Sequence, residues 1–282
     1  MQGSSSFKII IKHLFLIIFT LATLYPVMMV IRKSFSPGNT FQRSLNPIPE
    51  KVTLQHYEDV ITKTDSSGRF LFFRQLLNSI VVALVTTIIG LFLASTAAYA
   101  FSRFRFAGRG IGLNMFLIVQ MFPATLLMIP LYVIMDKLNL LNSIAGLVLV
   151  YSTTAIPFCV WMLKGYFDTI PREIEEAAWI DGATRFGMFW RVVLPLSKPA
   201  LAVTALFSFM TAWNEYILAE TFLNEETAYT LPVMLQHYVG SYSTSWGKFA
   251  AGSVMVSLPV MFIFYILQKN LVSGLTAGGV KG

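Results

Sequence analysis

The sequence predicts an all-α integral membrane protein with six transmembrane helices. Three observations carry that reading. Of its 282 residues 55% are hydrophobic and only 12% charged, against roughly 25% charged in soluble domains. Six apolar stretches each reach the roughly 20 residues that cross about 30 Å of hydrocarbon. The basic residues behind the net charge of +7 sit at the ends of those stretches and form no single patch. The charge therefore reads as membrane orientation and not as a nucleic-acid surface. A single cysteine, Cys159, excludes an internal disulfide and a cysteine metal cluster, and His13, His56 and His237 are widely separated.

Taken in order, the first span covers Ile9 to Ile31. Its apolar run exceeds the roughly 7–15 residues of a signal-peptide core and no small-x-small cleavage site follows, so it reads as an uncleaved anchor. The segment from Arg32 to Arg74 carries Pro37, Pro47 and Pro49 and then TLQHYEDVI, where Leu54, Tyr57, Val60 and Ile61 recur at helical spacing. That predicts a short amphipathic helix outside the membrane, resting either on lipid or on an external partner. The second span runs from Leu76 to Phe101, and its strip of Ala94, Ser95, Ala97, Ala98 and Ala100 suits close helix packing.

The third span covers Ile111 to Met135, the fourth Ile144 to Tyr166, the fifth Ala200 to Leu223 and the sixth Phe249 to Leu271. Pro123 and Pro130 fall in the third, Pro157 in the fourth and Pro259 in the sixth. Each removes a backbone donor and is expected to bend its helix. The carbonyls so freed must be satisfied inside protein or by water lining a cavity. Between the last two spans, Asn224 to Lys248 is polar enough to face water and a partner. No fixed-period repeat is found.

With the amino terminus inside, cytoplasmic segments hold 12 of the 21 basic residues. Seven of the nine outside lie in the long first loop, leaving only Lys137 and Lys248 in the other two outer loops. Short loops set the rule, and they favour both termini in the cytoplasm.

Between the fourth and fifth spans stands EAAWIDGATRFGMFWRVVLP, Glu176 to Pro195. Glu176, Ala177 and Ala178 put one charge and two small side chains on a helix start, Asp181 and Gly182 supply a turn, and Val192 to Pro195 end a second short helix. Its small residues let another surface approach closely. Its apolar members Ile180, Phe186, Phe189 and Trp190 have too little chain around them to be buried by it, so the hairpin is expected to dock a second subunit.

The spacing of this hairpin, with E-A-A, three residues, Gly, nine residues, an aliphatic residue, one residue and Leu-Pro, resembles the ATPase-docking loop of ABC importer permeases. Glu176, Ala177, Ala178, Gly182, Val192, Leu194 and Pro195 fall on the pattern, with valine where isoleucine is commoner, and Asp181 and Ala183 flank the glycine. VQMFP at 119–123, TAWNEY at 211–216 and the tail GLTAGGVKG at 274–282 resemble carbohydrate importer permeases, especially the smaller permease of maltose-type systems. The resemblance covers nearly the whole chain and implies a MetI-like bundle in a bacterial cytoplasmic membrane. It implies pairing with a second, different permease, two ATPase subunits holding ATP and Mg, and an extracytoplasmic binding protein that delivers a sugar or oligosaccharide. The expected division is then 1–75 for the first helix and outer loop, 76–273 for a permease core with its docking loop at 168–198, and 274–282 for a cytoplasmic tail. The resemblance implies that Thr276, Gly278, Gly279 and Lys281 reach toward the ATPase dimer, the glycines leaving the backbone free to thread a narrow gap. A frayed terminus is the alternative.

Gln120, Trp213, Asn214, Glu215 and Tyr216 are the candidates for a translocation path. An ionisable group in a span points to function, yet Trp213 and Tyr216 beside Glu215 also fit an interfacial aromatic belt. Gln120 can bond either a neighbouring helix or a hydroxylated solute. The chain has no G-x-x-x-x-G-K-[ST] loop, so a transporter built from it draws its energy from a partner and the chain itself needs no cofactor. An importer permease for a non-sugar solute is the nearest alternative. An ion-coupled carrier would show paired intramembrane charges and an inverted repeat. An integral membrane enzyme would show a metal-ligand or nucleophile cluster. Neither pattern is present.

Overall fold

A computed structural model describes residues 6–39, 45–240 and 244–279, without the side chains of residues 6, 7, 124 and 270–279. The described residues are helical: α1 (Ser6–Phe35), α2 (Gln55–Ile61), α3 (Leu71–Arg103), α4 (Arg109–Met121), α5 (Ala124–Lys137), α6 (Ile144–Thr169), α7 (Arg172–Ile180), α8 (Arg185–Met188), a π-helical turn (Phe189–Val193), α9 (Leu194–Leu196), α10 (Lys198–Asn214), α11 (Ile217–Phe222), α12 (Leu231–Gln236) and α13 (Trp246–Gly279). Among the described residues four helices are long and apolar enough to cross a membrane unaided, and up to six spans result if each of two bent pairs counts as one.

The chain divides into two compact units. One comprises Met1–Phe72 and Met234–Leu258. In it α1 is apolar on every side and its hydrophobic window is wholly unburied within the chain, as lipid-facing helices are. The amphipathic helix expected after the three prolines is α2, which buries His56 and Val60. Ser34 Oγ pairs with Tyr57 Oη at 2.7 Å, the His56 ring meets Ser36 O at 3.0 Å, and Lys248 pairs with Asp59 at 3.0 Å. Gly247 lies under the His56 ring, where an added Cβ would come within 2.2 Å of Nε2. Only a glycine fits there.

The other unit comprises Phe73–Val233 and Pro259–Gly282. Its core joins Ala94, Ala98 and Tyr99 of α3 to Cys159, Val160, Leu163 and Phe167 of α6 and to Phe189 and Val193 of the π-helical turn. The small-residue strip therefore serves packing. Ala94 and Ala98 are completely buried and Ser95 nearly so, because small side chains let α3 approach its neighbours closely.

Two of the expected spans are broken. The third stops at Met121, and Phe122 is extended (φ −74, ψ 128), as a residue before proline prefers. Pro123 then opens α5, at 102° to α4. The fifth also does not run unbroken to Leu223: α10 ends at Asn214, Glu215 is extended (φ −73, ψ 126), and α11 begins at Ile217. Pro130, Pro157 and Pro259 lie inside continuous helices instead. Asn139 and Asn142 adopt positive φ in the turn before α6, which asparagine tolerates. Ser143 then caps that helix by accepting from Gly146 N at 3.1 Å. The stretch expected to face water after Asn224 contains α12, whose Leu231 and Val233 are fully buried; Leu231 N donates to Ser79 Oγ at 2.7 Å. Its apolar LPVML run gains more from burial than the flanking polar residues lose. The tail, whose glycines were expected to leave the backbone free to thread a narrow gap, is helical to Gly279, no proline following Pro259 to stop α13. The side chain of Thr276 and all of Lys281 lie outside the described residues.

Candidate functional site

The elbow between α6 and α10 is built from short pieces with well-defined ends. Pro171 precedes α7, and Glu173 and Glu175 occupy its first turn, where negative charge favours the helix dipole. At the other end Ala183 N donates to Ala178 O and Gly182 N to Trp179 O, both at 2.9 Å. With Gly182 at φ +83 this is a Schellman ending, whose left-handed residue is most often glycine. Thr184 Oγ1 accepts from Gly187 N at 3.1 Å and caps α8. The chain then passes through the π-helical turn and α9 and bends by 79° into α10. The turn expected at Asp181 and Gly182 is thus present. Val192, Leu194 and Pro195 continue into α9 without a gap.

The elbow is anchored by a buried ion pair. Glu175 accepts from Arg103 Nε at 2.5 Å and from Tyr99 Oη at 3.0 Å. The two side chains of the pair are 9% and 11% exposed. Arg103 also donates to Ile170 O at 3.0 Å and to Ser102 Oγ at 3.1 Å, and Ser102 donates to Asp168, which pairs with Lys164. This one network ties the end of α3 to the end of α6 and the start of α7. A guanidinium whose three nitrogens each donate to a separate acceptor fixes direction as well as distance. The sequence pattern directed attention to Glu176, which is exposed; the anchoring residue is its neighbour Glu175. Its remote partners, Arg103 and Tyr99, 72 and 76 positions away, distinguish the two.

The outward side of the elbow is apolar. Ile180 is 87% exposed, Phe186 73%, Trp179 57% and Trp190 43%. Glu176, Ala177, Asp181 and Gly182 are exposed among them, with Ala178, Ala183, Val192 and Leu194 half-buried. Phe189 departs from expectation: it is buried against Tyr99, ring centroids 5.0 Å apart. The π-helical turn rotates it inward and leaves Phe186 and Trp190 outside. The Arg185 guanidinium lies 5.3 Å above the Phe104 ring and 5.6 Å above Trp179. Beside it opens a cavity of about 200 Å³ walled by Arg103, Arg172, Glu176, Trp179 and Arg185. A Cβ added at Gly182 would meet nothing within 4 Å, so nothing among the described residues covers that point.

The residues proposed for a translocation path do not gather in one place. Trp213 is 2% exposed and stacks on Phe209 at 5.4 Å. Asn214 donates back to Met210 O at 2.9 Å, and Tyr216 is partly exposed. Glu215 is fully engaged: it accepts from Tyr151 Oη at 2.6 Å, from Leu218 N at 2.9 Å and from Ala219 N at 3.2 Å. It caps α11 across the break, which explains why a carboxylate stands there. Gln120 is set apart from these and lines two cavities with Thr154. Among the described residues no group of three or more His, Cys, Asp or Glu is placed to hold a metal ion.

Comparison with known proteins gives a consistent picture. The family described as binding-protein-dependent transport system inner membrane component matches residues 86–277. The chain is 38% identical to the galactooligosaccharides transport system permease protein GanQ of Bacillus subtilis, over 98% of this chain and 96% of that protein. It is 40% identical to the maltose/maltodextrin transport system permease protein MalG of Escherichia coli, over 99% and 98%. Among solved structures it is similar to a chain of a bacterial ABC transporter that imports the acidic polysaccharide alginate. That match has a TM-score of 0.77 and 27% identity, covering 96% of this chain and 99% of the other. A chain of the MetNI methionine ABC transporter shares the fold alone, with a TM-score of 0.59 and 16% identity over 73% of this chain and 97% of that one.

Proposed function

The chain belongs to the binding-protein-dependent transport system inner membrane components, and from that membership we propose how it works as the permease subunit of an ATP-driven sugar importer. The solute is a sugar or oligosaccharide of the maltodextrin or galactooligosaccharide kind, in keeping with the relatives. The chain is a multi-pass membrane protein with both termini in the cytoplasm and no reaction of its own. It pairs with a second, different permease, with two ATPase subunits that hold ATP and Mg, and with an extracytoplasmic binding protein.

The observation that carries the mechanism is the elbow's two-sided construction. Outside, Ile180, Phe186, Trp179 and Trp190 present an apolar face with Gly182 at its open edge; burying side chains of this kind is worth about 1.5–3 kcal/mol each. Inside, Glu175 fastens the same elbow to Arg103 and Tyr99. An ATPase seated on the outer face therefore moves α3 and α6 together with the elbow, and a partner that binds one arrangement better than the other shifts the bundle. Glu176, Ala177, Ala178, Asp181, Ala183, Val192, Leu194 and Pro195 form the remainder of that seat.

Two substitutions at Gly182 test the docking face. Gly182→Trp is expected to abolish co-purification of the ATPase while the chain still inserts into the membrane. Gly182→Asn, which tolerates a left-handed backbone and adds little bulk, is expected to retain it. Equal recovery of the ATPase with both variants would contradict the docking role.

A further inference from the structure

A cavity that the elbow does not involve opens between α4, α6 and α10. It measures about 240 Å³ and is lined by Gln120, Thr154, Phe158, Phe207, Ser208 and Thr211. Thr154 stands ten residues into the 26-residue α6, roughly 15 Å along its axis, so the cavity lies near the middle of a spanning helix. A second cavity of about 440 Å³ shares Gln120 and Thr154, adds Thr153, and is otherwise apolar, with Phe122, Pro130, Pro157 and Leu218 in its walls. Together they reach the roughly 300–1,000 Å³ of sites that hold small organic ligands.

We propose that this cavity is a solute subsite of the permease, selective for a neutral polyhydroxylated ring. The inference rests on the sugar-importer reading above and assigns that solute to residues of this chain. Its lining carries amide and hydroxyl groups and no charged side chain. Ser208 is 2% exposed, and its Oγ meets no hydrogen-bond partner among the described residues beyond the Cys159 thiol, which is a weak one. A buried hydroxyl left so costs about 1–3 kcal/mol, which a solute hydroxyl in the cavity offsets. The Gln120 amide offers a donor and an acceptor at one rim. At the other, Phe158 and Phe207 stack with centroids 4.5 Å apart, and Phe207 is 53% exposed. An exposed ring face with a negative π-cloud suits the polarised C–H face of a sugar ring. The site places neither Trp213 nor Glu215 against solute, and of the residues first suggested for the path only Gln120 lies in it.

The test uses the complete transporter in proteoliposomes, with binding protein, partner permease and ATPase, and maltotriose and galactobiose as probes. Gln120→Ala, Ser208→Ala and Phe207→Ala are each expected to raise the KM for uptake of the transported probe by about tenfold, the equivalent of about 1.4 kcal/mol. The ATPase should co-purify with all three. In a Cys159→Ala chain carrying Gln120→Cys, saturating sugar is expected to slow methanethiosulfonate labelling of the introduced thiol. KM values within about twofold of the unsubstituted transporter in all three variants, with unprotected labelling, would overturn the subsite and leave the sugar reading intact. Failure of the unsubstituted transporter to take up either probe would overturn both.

Discussion

Glu175 in the elbow and Glu215 at the break between α10 and α11 are both glutamates that accept a tyrosine hydroxyl, from Tyr99 and Tyr151 respectively. Beyond that they differ in what balances them. Glu175 faces the Arg103 guanidinium across a long sequence separation, so its bond joins α7 to α3. Glu215 faces the first amides of the helix that follows it, so most of its bonding is local. A charge satisfied from a distant helix transmits displacement, whereas a charge satisfied by its own next turn shapes the chain where it stands. The contrast separates a coupling element from a structural break, although both residues look alike as acidic positions beside apolar spans.

The largest expected effect follows from breaking the distant pair. Glu175→Ala strands a largely buried guanidinium, which costs on the order of 3–5 kcal/mol, and should lower the unfolding temperature of the detergent-solubilised chain. Because much of that loss comes from the unpaired charge, Glu175→Leu combined with Arg103→Met should be less damaging than either single change. A double variant as unstable as the sum of the two would show that they act independently. Such a result would remove the anchor from the account.

The comparison also explains what was readable in advance. Spacing located the elbow, and Asp-Gly gives the left-handed ending expected of it; E-A-A, by contrast, falls in the second half of α7, which starts at Arg172, and Leu194 and Pro195 open α9 where a stop was expected. The spans were readable because apolar length is itself the signal. Glu175 was not, since Arg103 is remote and Glu176 next to it bears the pattern. Nor was the role of Glu215, because a carboxylate in an apolar run looks like a pathway residue until the helix is seen to break there and expose Leu218 N and Ala219 N. Phe189 is buried where its spacing suggests exposure, for a related reason. A π-helical turn shifts the face on which each side chain emerges, and regular helical spacing does not announce it.

A smaller effect is expected at the local carboxylate. Glu215→Ala removes a cap and should cost about 1–2 kcal/mol, with the ATPase still co-purifying; Glu215→Gln, which keeps an acceptor for Leu218 N, should cost less. If Glu215→Gln instead abolished uptake without lowering stability, Glu215 would belong to the transport path and the contrast with Glu175 would fail. The smallest effect on stability is expected on the outer face. Ile180→Ser alters a side chain that is 87% exposed and should change stability by no more than about 0.5 kcal/mol, while weakening ATPase recovery measured by pull-down.

Accessibility of the elbow tests the central claim most directly. A thiol introduced by Ile180→Cys in a Cys159→Ala chain should react with a membrane-impermeant maleimide in inside-out vesicles stripped of ATPase, and should be shielded when the ATPase is added back. Labelling in sealed right-side-out vesicles, or labelling indifferent to the ATPase, would contradict the account.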